Sequence, residues 1–127
     1  KIKDQVDFRG YIEHDKLPQI LAGQDLFILP SFPETFGRVY FEAMAAGLPV
    51  ICAKASGIFG YFPELVDKYA VSPGNTDEIA EKIRYFILNR DVCENTGKKL
   101  QTLMSEYSWE KISDRLRNLY SEAQEPA

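Results

Sequence analysis

The apolar residues of this chain fall into two short unbroken runs, set between amphipathic stretches. Residues 26–29 (LFIL) form an all-apolar run, the pattern of a strand buried on both faces. Pro30 and Pro33 stop it, because proline cannot donate to a sheet ladder. A loop carrying Glu34, Thr35, Phe36 and Gly37 follows, then a predicted helix over residues 38–46, closed by Gly47 as a C-terminal cap and by Pro49. Residues 49–53 (PVICA) make a second apolar run. Strand, helix and strand, with both strands buried, predict an α/β fold with a Rossmann-like parallel sheet flanked by helices. In such sheets ligands sit at the carboxyl ends of the strands beside helix N-termini. The loop from Glu34 to Gly37 lies at such a place.

The flanking segments extend the pattern. Residues 6–10 (VDFRG) predict a strand ending in a glycine turn, and residues 11–14 a loop. Asp15 can cap a helix through Ala22, with Pro18 in its first turn and Gly23 at its end. His14, the single histidine, reads as an exposed loop residue. Residues 54–63 form a loop with Gly57, Gly60, Phe59, Tyr61 and Phe62, followed by a helical turn at 63–66 and a last short strand at 69–72. Asn75 and Glu78 form a capping-box-like helix start, with Ile79, Ile83, Phe86 and Ile87 on one face. A second helix covers 91–106, and Ser108 caps a third whose stripe is Trp109, Ile112, Leu116 and Leu119. There is no internal repeat and no low-complexity linker, so residues 1–127 read as a single domain ending in a run of helices.

Composition narrows the classes. A hydrophobic content of 45% with 27% charged residues is ordinary for a globular domain, and a formal charge of −4 argues against nucleic acid as partner. Cys52 sits in an apolar run and Cys93 has no cysteine or histidine near it, so two free thiols and a reducing compartment are expected. No cluster has metal-ligand spacing. No stretch is apolar enough to span a membrane and no signal peptide is visible. The chain opens at Lys1 directly before a strand-like segment, the pattern of a piece excised from a longer protein.

The central loop carries the candidate chemistry. Seven residues separate Glu34 from Glu42. Between them the amides of Gly37, Arg38 and Val39 are the unpaired donors of a helix start, which attracts phosphate through those amides and the helix dipole. Gly37 lets a ligand approach the backbone. Glu42 would lie about 6 Å further along the axis than Arg38, from the helix rise. That suits a carboxylate accepting ribose hydroxyls while a diphosphate sits at the helix tip, with Glu34 accepting hydroxyls of a sugar beyond it. The plain alternative is a stabilised helix start in which Glu42 pairs with Arg38 one turn back.

The stretch PSFPETFGRVYFEAMAAGLPVICA resembles the signature of retaining glycosyltransferases of the GT-B fold, the glycosyl transferases group 1. The matching parts are Pro30-Ser31, Glu34, Phe36-Gly37, Glu42-Ala43-Met44-Ala45, Gly47 and Pro49-Val50. The likeness extends to Phe8-Arg9-Gly10, to Asp25 before the central strand and to Ser108-Trp109, so it covers nearly the whole chain. It implies the nucleotide-sugar-binding C-terminal half of a GT-B fold, lacking its N-terminal acceptor domain and first strands. It implies that Glu34 contacts the donor sugar as the catalytic glutamate and that Glu42 binds the nucleotide ribose. Phe36, Gly37, Arg38 and Val39 would hold sugar and phosphate, and Tyr11 and Ile12 would line the base pocket.

On the same resemblance the donor is a UDP-, GDP- or ADP-sugar, with no cofactor and no bound metal. The acceptor is a glycan or glycolipid held by the missing domain, as in polysaccharide, lipopolysaccharide or glycolipid synthesis. The enzyme would be cytoplasmic, with any attachment to the inner face of the membrane made through that other domain, and the isolated fragment would be inactive. The chain departs from the signature at Thr35, where glycine is frequent, and in an aromatic insertion between Ser56-Gly57 and Pro63-Glu64. The family's basic Arg and Lys motif lies upstream of the matched region. Those departures leave a second class open, a non-catalytic interaction or regulatory domain using Phe59, Tyr61 and Phe62 as a partner surface.

Overall fold

The structure, a computed structural model, describes residues 2–124. Its centre is β1 (Phe27–Leu29), paired in parallel with β2 (Val50–Cys52) in the register Phe27 to Val50 and Leu29 to Cys52. One further parallel bridge joins Ala53 to Val71, where residues 69–72 were expected as a strand. The crossover between the two strands is α2 (Arg38–Ala45). Gly47 follows it with φ +84°, and the amides of Gly47 and Leu48 donate to the carbonyls of Met44 and Ala43, at 3.0 Å each. This is a Schellman ending, which only a residue tolerant of left-handed backbone completes cheaply.

Alternation along β2 divides the interior in two, since successive side chains leave a strand on opposite faces. Val50 and Cys52 join Tyr40, Met44, Ile58, Val66 and Leu100 on one side, and Ile51 joins Tyr69, Val71 and Phe86 on the other. Around this sheet lie α1 (Leu17–Ala22), α3 (Thr76–Leu88) and α4 (Arg90–Met104). Helix α3 starts as expected: the Asn75 side chain accepts from the Glu78 amide at 3.1 Å. Glu78 does not reach back to the Asn75 backbone amide as a capping box would; its carboxylate accepts from the Asn75 side-chain amide at 2.9 Å and from the Ser72 amide and hydroxyl at 2.7 and 2.9 Å. Both cysteines are free and buried, and no helix among the described residues is long and apolar enough to cross a membrane.

Four expectations fail, each for want of a neighbour. Residues 6–10 form no strand: no other strand lies beside them among the described residues, and an unpaired segment keeps its amides and carbonyls in water. Strand β1 is not buried on both faces, because Ile28 is 36% exposed on the side that α2 does not cover. Ile87 is exposed rather than facing inward with Phe86. Asp15 does not cap α1; it lies inside a 3-10 turn (His14–Lys16), and Lys16 precedes the helix without a side-chain cap. The last helix, α5 (Trp109–Gln124), begins at Ser108 as expected, its hydroxyl accepting from the Lys111 amide at 3.3 Å. Its stripe of Trp109, Leu116 and Leu119 nevertheless stays exposed, as does Tyr120.

Candidate functional site

The loop after β1 is held from both ends. Tyr40, in the first turn of α2, is fully buried and donates its hydroxyl to the Leu29 carbonyl at the end of β1. Burial pushes the Tyr40 hydroxyl above its ordinary range, so it keeps its proton and stays a donor at neutral pH. The Phe27 ring stands edge-on to Tyr40, with centroids 5.9 Å apart. Strand end and helix start are thereby tied together through Tyr40.

Gly37 is the turning point. It caps α2 with φ +68°, in the left-handed region, and a Cβ there would meet the Tyr40 ring at 2.4 Å. The carbonyl of Gly37 accepts from the Tyr40 amide at 2.9 Å, and the amides of Arg38 and Val39 sit at a helix start with no intrahelical acceptor of their own. Glu34 is half-buried, with the Ser31 hydroxyl 3.5 Å from one carboxylate oxygen.

The loop after β2 packs on this one. The Gly57 amide donates to the Glu34 carbonyl at 3.2 Å. A Cβ on Gly57 would lie 1.9 Å from the Thr35 carbonyl oxygen, so no side chain fits between the two loops. Neighbouring Ser56 is buried, its hydroxyl donating to the Ala53 carbonyl at 2.8 Å. The aromatic insertion is split, with one ring in the core and two at the surface. Phe62 is buried, Phe36 stacks on Phe41 at 5.1 Å, and Tyr61 meets Phe36 edge-on at 6.2 Å. Phe59 and Tyr61 stay exposed, as does Phe36.

Glu42 lies one turn further along α2, its side chain 30% exposed. Its partner is not Arg38: Glu42 Oε1 lies 3.2 Å from Nε2 of His14. The two line a cavity of about 360 Å³ between α1, α2 and α4, together with Leu17, Pro18, Leu21 and Ala46. Ile12 is half-buried and Tyr11 is 91% exposed, two and three residues before His14. Two loops and the first turns of α2 thus gather Glu34, Phe36, Gly37, Arg38, Val39 and Glu42, with His14 reaching Glu42 from the turn before α1.

His14 is the residue that sequence reasoning missed. It is an exposed residue as expected, its side chain 77% exposed, but its contact with Glu42 crosses 28 positions of sequence that no local pattern reports. Asp25 has a structural part: its carboxylate accepts from Arg90 at 3.2 Å and its carbonyl from the Cys93 thiol at 3.4 Å, tying α4 to the entry of β1.

Comparison with known proteins says which class this parallel α/β sheet and its glycine-capped crossover helix belong to. Residues 1–103 match the family described as glycosyl transferases group 1. The chain belongs to that family, and its fold is that of the C-terminal domain of the GT-B architecture. Among curated relatives, it is 34% identical over 114 residues to the sulfoquinovosyl transferase SQD2 of Arabidopsis thaliana, covering 87% of this chain and 22% of that protein. It is 30% identical over 124 residues to the N-acetyl-alpha-D-glucosaminyl L-malate synthase of Bacillus anthracis, covering 94% of this chain and 31% of that one. The sucrose-phosphate synthase of Thermosynechococcus elongatus superposes with a TM-score of 0.81 at 27% identity, over 96% of this chain and 31% of that chain. The chain therefore spans a third or less of each of these relatives.

Proposed function

We propose that this chain binds the nucleotide-sugar donor for a retaining glycosyl transfer to an acceptor hydroxyl. The observation that carries the reading is Gly37: a left-handed helix cap without a side chain, held between Glu34 and Glu42 with the amides of Arg38 and Val39 opening beside it. Those amides and the dipole of α2 suit the donor diphosphate. Phe36 walls the loop on the sugar side, and Glu34 accepts hydroxyls of the sugar. Glu42 accepts hydroxyls of the ribose, and Tyr11 and Ile12 flank the base. The bond from the sugar C1 to the diphosphate breaks, the acceptor oxygen bonds C1 from the same face, and the hydroxyl proton leaves with the nucleoside diphosphate. Amides aimed at the diphosphate stabilise the charge that develops as it departs, so no bound metal is needed. Whether the base is uracil, guanine or adenine is a question for binding.

The acceptor belongs to a second domain on this reading. Two observations support it: the chain spans a third or less of its relatives, and residues 6–10 and the stripe of α5 carry apolar side chains with no cover among the described residues. The fragment alone would hold donor weakly and turn nothing over. The complete protein would transfer sugar to a glycan or glycolipid in the cytoplasm, with any membrane contact made by the other domain.

The test is titration of the full-length protein with UDP, GDP and ADP, followed by amide NMR of this domain. Shifts gathered on Gly37, Arg38, Val39 and Glu42 are expected for one base above the others. Glu42→Ala should weaken that ligand by more than about 10-fold, the scale of a lost charge-assisted hydrogen bond. Equal affinity in the variant would return Glu42 to a structural pair. Turnover undiminished in EDTA, with product of the donor's anomeric configuration, is the expected kinetic result.

A further inference from the structure

Glu42 projects from the middle of α2 with its side chain 30% exposed, where a glutamate without a partner samples several rotamers. His14 ends that freedom. An ionised carboxylate only accepts, so the 3.2 Å contact has Nε2 of His14 donating to Oε1 of Glu42. The contact occupies one of the two carboxylate oxygens. His14 is itself placed by backbone: it opens the 3-10 turn (His14–Lys16) that runs directly into α1, and α1 closes one side of the cavity that the pair lines. On the other side of that cavity the Gln101 side chain donates to the Ala45 carbonyl at 3.2 Å, fixing α4 to the end of α2.

We propose that His14 is a positioning residue for Glu42, holding the carboxylate at the cavity in the orientation that receives the ribose hydroxyls of the donor nucleotide. This rests on the reading of Glu42 as the ribose-binding glutamate. As a stability element the contact has little value, since His14 is 77% exposed and water screens it. Its effect is on the ligand: a carboxylate already fixed loses less side-chain entropy when the ribose arrives. His14 acts through Glu42 and has no part in holding the diphosphate, which this reading places at the N-terminus of α2, a turn away from Glu42.

The experiment is calorimetric titration of the full-length protein with UDP, GDP, ADP and inorganic pyrophosphate, for wild type, His14→Ala, His14→Gln and Glu42→Ala. For the nucleotide bound tightest, His14→Ala should weaken affinity about 3-fold, the scale of an exposed contact, and leave pyrophosphate unchanged. His14→Gln, which keeps an N–H donor of similar reach, should restore most of the loss. In turnover, His14→Ala should raise the donor KM and leave kcat as it was. Unchanged nucleotide affinity in His14→Ala, beside a clear loss in Glu42→Ala, would overturn the positioning role and leave the ribose reading standing. Unchanged affinity in Glu42→Ala would remove both. Equal losses for nucleotide and pyrophosphate in His14→Ala would mark a disturbed fold and also overturn the proposal.

Discussion

Gly97, in the middle of α4, packs so closely on Gly47 that a Cβ built on it would stand 2.0 Å from the Gly47 carbonyl oxygen. Backbone meets backbone here, and the Pro49 ring lies 3.4 Å from the same point. The helix that follows the sheet is thereby seated on the turn that ends α2 and opens β2. Gly97→Ala gains helix propensity of about 1 kcal/mol in isolation. Overpacking costs typically about 1–3 kcal/mol, and with no flexible side chain to yield the upper end is expected. The net outcome is a lowered Tm by calorimetry, opposite in sign to the propensity effect.

Gly57→Ala addresses the candidate site itself. The new methyl would fall 1.9 Å from the Thr35 carbonyl oxygen, so the loop after β2 must lift off the loop that carries Glu34. We expect a loss of about 1–3 kcal/mol in stability together with weakened binding of the nucleoside diphosphate. Chemical denaturation and titration on the same sample separate the two. Gly23→Ala serves as the control, because its φ is −94° and the nearest atom to a Cβ there is the Ile20 carbonyl oxygen at 3.7 Å.

Glu78 predicts a pH dependence. Its carboxyl is held below the usual carboxylate range, first by the hydrogen bond from the Ser72 amide, then by the Ser72 hydroxyl, with Lys54 3.6 Å away adding to both. A lowered folded-state pKa means that the ionised form stabilises the fold. That contribution is present above the ordinary carboxylate pKa and is lost as pH falls through the folded value. Glu78→Gln should therefore melt below wild type at pH 7. The gap should close on acidification below about pH 4.3, the ordinary glutamate value, as thermal melts across a pH series would report.

The centre of the fold was legible because it is local. β1, the glutamate loop, α2, its glycine ending and β2 follow one another within 30 residues, and each boundary is written by a proline, a glycine or an apolar run. What was illegible is what depends on distant neighbours. Apolar residues at 6–10 read as a strand, but a strand exists only beside a partner. The stripe of α5 was correctly periodic, yet periodicity cannot say what covers it. Gly97 carried no signal, since nothing near it in sequence marks Gly47 as its contact. His14 likewise carried no signal, because its partner sits on another helix.

Trp109 gives the chain a built-in optical probe. It is the single tryptophan, and in this structure its indole is 85% exposed. Its emission should resemble that of the free amino acid in water, and unfolding of the sheet and its two apolar layers should hardly change it. Fluorescence at this residue is then nearly silent about global melting but sensitive to any surface that closes over the start of α5. A blue shift on comparing the isolated chain with the full-length protein would report such closure without a label.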